Sequence, residues 1–309
     1  MSVMRSILLG ASKSKWLRER IPQFQFSRRA VARFMPGEDL NSALRAAKGF
    51  RPSGIAIVLT YLGENVSSTD EAGEVTDHYC DAISRIQAVG LNCEISVKLT
   101  QLGHDIRTEV SRANLQKIIK PAAAARNFVW IDMEDSNYTD STLEMYRGLR
   151  SQYANVGLCL QSYLYRTRRD LETLLPLSPG IRLVKGAYRE PAHVAFPKKK
   201  DVDANFLALA EQLLDAIERN KTRVAIATHD DRLIERIQRM ANDKHLSKDA
   251  FEFQMLYGIR TSMMAGLIRD GYRGRVLISY GPAWFPWYMR RLAERPANLL
   301  FVLRNVFSS

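Results

Sequence analysis

The sequence is poor in the features that mark secreted, metal-bound or membrane-spanning proteins. Its cysteines, Cys80, Cys93 and Cys159, are odd in number and widely spaced, so they suit a reducing compartment and read as small core residues. No run of about 18 apolar residues exists, so no segment reads as a bilayer-spanning helix. The stretch from Ile7 to Ala11 is too short for the apolar core of a signal peptide. Five histidines (His78, His104, His193, His229, His245) lack ligand spacing, and no metal site is expected. There is no Gly-x-Gly-x-x-Gly turn, no RNA-recognition signature and no zinc knuckle.

What is present is a large core and a strong positive charge. The chain has 309 residues and is 46% hydrophobic, enough for two ordinary domains or one α/β barrel with extensions. The net charge of +12 favours something anionic: nucleic acid, a lipid surface or a carboxylate substrate. The charge is diffuse, Lys198 to Lys200 being the longest basic run, and no nucleic-acid partner is expected. The expected location is the cytoplasm, with peripheral contact at the inner face of the membrane as an open alternative. Residues 1–50 read as a helical segment interleaving basic and aromatic side chains (Trp16, Arg18, Arg20, Phe24, Phe26, Arg28, Arg29, Arg33). Within it, Asp39 caps a helix with Leu40, Ala43, Leu44 and Ala47 on one face.

From residue 51 a βα alternation begins. Short apolar or β-branched runs fall at 55–62, 93–98, 128–132, 156–161, 181–185, 224–228, 251–255 and 275–279. Segments of helical period lie between them at 71–89, 115–125, 143–152, 168–175, 205–217, 231–240 and 261–268, and a last helix follows Pro286. Eight strands, each followed by a helix, predict a (β/α)8 barrel over 51–309. A doubly wound sheet is the competitor; it lacks its glycine-rich turn and a second compositional block.

In such barrels the working residues sit where strands end. Those ends read Leu62-Gly63-Glu64, Lys98, Asp132-Met133-Glu134, Gln161, Arg182-Leu183-Val184-Lys185-Gly186-Ala187-Tyr188, Thr228-His229-Asp230 and Gln254-Met255-Leu256. Each alone has a plain structural explanation: Lys98 can snorkel, His229 can cap a helix, and Asp132 can pair with an arginine. Seven consecutive polar strand ends are harder to dismiss, because side chains there point toward a common mouth. In the last helix, a period of about 100° puts Trp287, Arg290, Arg291 and Glu294 on one face and Phe285, Met289, Leu292 and Ala293 on the other. Adjacent guanidinium forks with a carboxylate one turn on match an anionic substrate, although a solvated ion-pair face is the commoner explanation for such a pattern.

Taken together, Ser96-Val97-Lys98-Leu99, Ile131-Asp132-Met133-Glu134, Leu160-Gln161, Arg182 through Tyr188, Ala227-Thr228-His229, Glu252-Phe253-Gln254 and Arg290-Arg291-Leu292-Ala293-Glu294 resemble the proline dehydrogenase family. The likeness runs from about Leu62 to Glu294, one motif per strand and in order, and its length resembles the short bacterial form without an aldehyde dehydrogenase module. The family is a flavin-dependent barrel that oxidises L-proline to Δ1-pyrroline-5-carboxylate and passes electrons to a quinone.

The resemblance implies that Lys98, Arg290 and Arg291 hold the substrate carboxylate, with Glu294 keeping the arginines in place and Glu64 acting as a gate over bound substrate. It implies that Asp132 and Arg182 lie at the flavin and substrate, Arg182 near the N5 edge, where a cation stabilises the reduced ring. Met133, Gln161, Val184, Lys185, Gly186, Ala187, Tyr188, Thr228, His229, Gln254, Met255 and Leu256 would hold FAD, and Tyr188 and Leu256 would also flank the proline ring. One position departs from the family: a tyrosine usually stands four residues before the glycine matching Gly281, and here it is Leu277. That tyrosine shelves the ring and crowds out hydroxylated analogues, so close cyclic analogues of proline are also expected as substrates. Tyr280 is not a direct substitute. Two rivals remain at this stage: a Schiff-base aldolase or lyase using Lys98 or Lys185, and a basic binding protein. Assembly state and the particular quinone leave no trace in the sequence.

Overall fold

A strand that is apolar on both faces needs cover on both, and the alternation of such strands with amphipathic helices supplies it. The structure is a computed structural model describing residues 31–64 and 66–294 together with Ser14, Trp16 and Arg20. After helix α1 (Leu40–Gly49) the strands are β1 (Ala56–Tyr61), β2 (Cys93–Val97), β3 (Val129–Ile131), β4 (Val156–Gln161), β5 (Gly180–Val184), β6 (Arg223–Ala227), β7 (Glu252–Leu256) and β8 (Arg273–Tyr280). They alternate with α2 (Thr69–Ala88), α3 (Thr108–Ala124), α4 (Thr139–Arg150), α5 (Thr167–Leu174), α6 (Lys199–Arg219), α7 (Asp231–Asp243), α8 (Thr261–Arg269) and α9 (Trp284–Glu294). All neighbours are parallel, and β1 pairs with β8 from Ala56 opposite Arg275 to Tyr61 opposite Tyr280. The sheet closes, and the fold is the (β/α)8 barrel.

Residues of one strand parity (Ile57, Leu59, Ile95, Val97, Ile181, Leu183, Ile226, Phe253) join the main core with the helices. The other parity fills the barrel, where Val58, Trp130 and Ala225 cluster with Phe128 and Leu277. Gly157 and Gly180 make room there: a Cβ on Gly157 would stand 2.6 Å from the Phe128 ring and 2.7 Å from Trp130. The remainder of the filling is polar and charged, including Glu94, Ser96, Arg182, Glu252, Gln254 and Arg275.

Several helices begin earlier than the periodicity suggests. Helix α3 starts at Thr108 because its first turns bury Ser111 and Asn114, polar residues that break the apolar count; Asn114 Nδ2 donates to the Leu102 carbonyl at 3.1 Å. Helix α6 starts at Lys199, its first turns carrying ion-paired rather than apolar side chains. Helix α9 starts at Trp284 rather than after Pro286, so that proline sits in the first turn, where its missing N–H has no intrahelical partner to lose.

Of the N-terminal segment, the described part includes α1. Asp39 caps it by accepting from Ser42 N at 2.9 Å, and Leu40, Ala43, Leu44 and Ala47 are buried. Val31, Phe34 and Met35 pack with Leu62 and with Trp284, Phe285, Trp287, Tyr288 and Leu292 of α9. Trp287, assigned by periodicity to the charged face, is therefore covered. Arg18, Phe24, Phe26, Arg28 and Arg29 lie outside the described residues.

Candidate active site at the mouth of the barrel

Alternation along β2 turns Ser96 and Lys98 to the same side, and along β3 it does the same for Trp130 and Asp132. With Arg182 from β5 they form one connected group. Asp132 Oδ1 accepts from Ser96 Oγ at 2.8 Å and from Arg182 NH2 at 2.9 Å, while Oδ2 accepts from Lys98 Nζ at 2.9 Å. Arg182 NH2 also donates to Ser96 Oγ at 2.6 Å, so the serine hydroxyl bridges the ion pair. Arg182 is only 2% exposed. Burial works against ionised Asp132, but the facing Lys98 and Arg182 outweigh it and hold its pKa below the ordinary value. Burial likewise works against protonated Lys98, yet the charges of Asp132 and Glu64 dominate and raise its pKa. A Schiff-base lysine needs the opposite shift, toward a free amine, so Lys98 is unsuited to that role. Lys185 Nζ is also committed, 2.6 Å from Asp203 Oδ1 and 3.0 Å from Asp230 Oδ2.

Glu134, beside this group, is 4% exposed and accepts from Thr100 N at 3.1 Å and Thr100 Oγ1 at 2.7 Å. Burial pushes its pKa up to about 7 despite the threonine bonds. A carboxyl with a raised folded pKa binds its proton more tightly when folded, so its contribution to stability is lost as pH climbs from about 4.5 to 7. Glu134→Gln is therefore expected to flatten the decline in unfolding midpoint over that range, measured by urea denaturation at several pH values.

On the other side of the mouth, Gln161 Nε2 donates to the carbonyls of Met133 and Glu134, both at 3.2 Å, and its buried Oε1 has no hydrogen-bond partner among the described residues. Arg182 Nε is likewise buried without a hydrogen-bond partner among the described residues. Thr228 Oγ1 accepts from Asp230 N at 3.2 Å, and His229 Nε2 accepts from Leu256 N at 2.9 Å, which requires a neutral ring with its proton on Nδ1. The Lys185–Tyr188 turn passes Gly186 at φ +113, where a Cβ would fall 2.3 Å from the Tyr163 ring. Glu190 pins this turn by accepting from Ser136 N at 2.8 Å and Ser136 Oγ at 2.6 Å. The side chains of Met133 and Met255 pack in the main core, and Val184 lies at its edge. Gln254 is occupied by Arg182 and Glu252.

Leu62 N donates to the Tyr280 carbonyl at 2.7 Å, and Leu62 packs on α9, which puts that helix at the same end of the barrel as Glu64. Positions 290, 291 and 294 lie on α9, but the side chains of Arg290, Arg291 and Glu294 fall outside the described residues. Leu277 faces the barrel interior with Val58 and Trp130. Tyr280 turns outward instead, its hydroxyl 2.8 Å from His78 Nε2 on α2, and so does not take the place of the family tyrosine.

Sequence reasoning gave no role to Ser96, Thr100 or Glu252. Their signal was available for two of them: Ser96 lies two residues before Lys98, and Glu252 two before Gln254, on the same strand faces.

A sequence model of the family described as proline dehydrogenase matches residues 43–304. The chain belongs to the proline dehydrogenase family. It is 38% identical to proline dehydrogenase 1 of Bacillus subtilis strain 168 over 304 residues, covering 98% of this chain and 99% of that one. With proline dehydrogenase of Deinococcus radiodurans it shares 41% over 279 residues, 89% of each. The fold is also that of proline utilization A from Bdellovibrio bacteriovorus, solved after inactivation by N-propargylglycine, with a TM-score of 0.81 at 24% identity. That likeness covers 87% of this chain and 33% of the longer one. Among the described residues no helix is long and apolar enough to cross a membrane, and no group of three or more His, Cys, Asp or Glu is arranged to hold a metal.

Proposed function

We propose that this member of the proline dehydrogenase family oxidises L-proline, or a close cyclic analogue, to the corresponding Δ1-imine, with FAD as cofactor and a quinone as final electron acceptor. The observation that carries the reading is the convergence of Lys98, Asp132 and Arg182 from three strands on one mouth. The residues there fit a flavin: Gln161 Oε1 and Arg182 Nε are buried and unspent among the described residues, an acceptor and a donor suited to a polar ring edge. When bound, FAD supplies at N5 the acceptor for the hydride leaving the substrate carbon beside nitrogen.

The chain's own part is orientation and electrostatics. Lys98, kept protonated by Asp132 and Glu64, would bind the substrate carboxylate together with Arg290 and Arg291, fixing the ring's direction. Glu294 would hold the arginines, and Glu64 would close over the bound amino acid. Arg182 would lie near N5, with Asp132 and Ser96 holding its guanidinium. Gln161, the Lys185–Tyr188 turn, Thr228, His229 and the Gln254–Leu256 stretch would cradle the cofactor, with Tyr188 and Leu256 beside the substrate ring. In place of the family tyrosine, Leu277 offers an aliphatic wall, which favours looser selection among cyclic amino acids. The net charge of +12 supports a peripheral contact with anionic membrane, where quinone resides.

Anaerobic mixing of the purified yellow protein with L-proline tests this: the flavin bands should bleach, and failure with proline and with every cyclic or N-alkyl amino acid rejects the substrate class. Arg291→Met should then raise the half-saturating proline concentration by orders of magnitude, corresponding to roughly 2–5 kcal/mol for a lost charge partner. An unaltered saturation curve would contradict the carboxylate clamp.

A further inference from the structure

Below the mouth the barrel holds an ion-pair quartet, with Glu94, Glu252 and Arg275 buried and the Arg223 side chain 33% exposed, that takes no direct part in the proposed reaction. Arg275 on β8 meets Glu252 on β7 (Nε to Oε1, 3.2 Å) and Glu94 on β2 (NH2 to Oε1, 3.1 Å). Arg223 on β6 joins both carboxylates, at 2.7 Å to Glu94 and 3.3 Å to Glu252. Two carboxylates and two guanidiniums cancel, so the quartet offers the site fixed geometry rather than net charge. Burying Glu94, Glu252 and Arg275 is costly relative to apolar filling, which invites a role beyond stability.

Two paths lead upward from it to the same side chain. Gln254 Nε2 donates to Glu252 Oε1 at 2.5 Å. An ionised carboxylate only accepts, so the amide nitrogen must face the quartet and the amide oxygen is left facing Arg182, whose NH1 approaches it at 3.5 Å. On the second path, Trp130 Nε1 donates to Glu94 Oε2 at 2.7 Å, and the Arg182 guanidinium lies 4.9 Å from a Trp130 ring centroid. Cation–π contact and the amide oxygen thus support Arg182 from below, while Ser96 and Asp132 hold it from the side.

We propose that Glu252 is a positioning residue for Arg182: by fixing which way the Gln254 amide points, it holds the guanidinium in the orientation the reaction needs. The inference rests on the proposed flavin site, because the consequence is read at the flavin. Without the carboxylate, an amide at position 252 can donate or accept, Gln254 is free to turn, and its nitrogen then repels Arg182 NH1.

The test is Glu252→Gln in the flavin-loaded enzyme, with a crystal structure, a dye-coupled redox titration and anaerobic proline mixing. The Arg182 guanidinium should shift away from Gln254. Two-electron reduction of the flavin should become about ten-fold less favourable, or about 30 mV. The limiting rate of bleaching should fall by about ten-fold while half-saturation by proline moves less than about three-fold. A purely structural role would lower stability and flavin content without moving the potential of the loaded fraction. Either an unmoved guanidinium or an unchanged potential overturns the proposal. If Glu252→Gln does not fold, Gln254→Leu leaves the quartet whole and removes the amide oxygen that faces Arg182; the guanidinium should then leave its wild-type position in the crystal structure, and an unmoved guanidinium overturns the proposal. A wild type that never bleaches with proline rejects the functional reading instead, and the crystallographic comparison still decides the role of Glu252.

Discussion

Asp132→Ala is expected to be the most damaging single substitution in the mouth of the barrel. It strips Lys98 and Arg182 of the carboxylate they share and leaves two cations facing each other in a nearly buried space. Removing one partner of a buried ion pair costs about 3–5 kcal/mol, because the remaining charge stays desolvated. The denaturation midpoint should fall accordingly. The limiting rate of flavin bleaching by proline should fall by roughly 10²–10³, the scale of losing one preorganised electrostatic contact. Asp132→Asn keeps an acceptor for Ser96 and Arg182 but not the charge, and should fall between the two. The same pairing predicts a pH signature. Since the folded pKa of Asp132 lies below its ordinary 3.8, the stability it contributes is complete above that value and drains away as pH falls through the lower folded pKa. Equal midpoints for wild type and Asp132→Ala at neutral pH would refute this account.

Gly258→Ala should do comparable harm from outside the site. Gly258 follows β7 with φ +73, and a Cβ there would stand 1.7 Å from the Arg33 carbonyl oxygen. The left-handed conformation costs a side chain on the order of 1–2 kcal/mol, and overpacking typically adds about 1–3 kcal/mol. Backbone cannot swing aside as a flexible side chain can, so the 31–35 segment has to move. That segment is part of the packing under α9. The expected result is a lowered thermal midpoint together with a raised half-saturation for proline, because α9 carries Arg290 and Arg291. A lowered midpoint with unchanged saturation would show that the segment does not position the helix.

Much of this protein is legible because a barrel strand advertises itself. Runs such as 156–161, apolar and flanked by turns, coincide with β4 from Val156 to Gln161. Boundaries fail where polar residues are buried, as at Ser111 and Asn114 of α3, or ion-paired, as at the start of α6. Trp287 fails for another reason: periodicity ranks faces within one helix, but the cover over α9 comes from Val31, Phe34 and Met35, about 250 positions earlier in the chain.

The order of strands and helices, the closed parallel barrel, the family and the set of polar strand ends all follow from the sequence, since each depends on local periodicity and on which residue stands at a strand's end. Period two also reveals which residues share a strand face. It does not reveal which faces meet across a closed barrel. That Asp132 sits between Lys98 and Arg182, that Ser96 bridges them, and that Glu94 and Arg223, 129 positions apart, belong to one quartet are decided only when the strands close and their inner side chains compete for the same small volume.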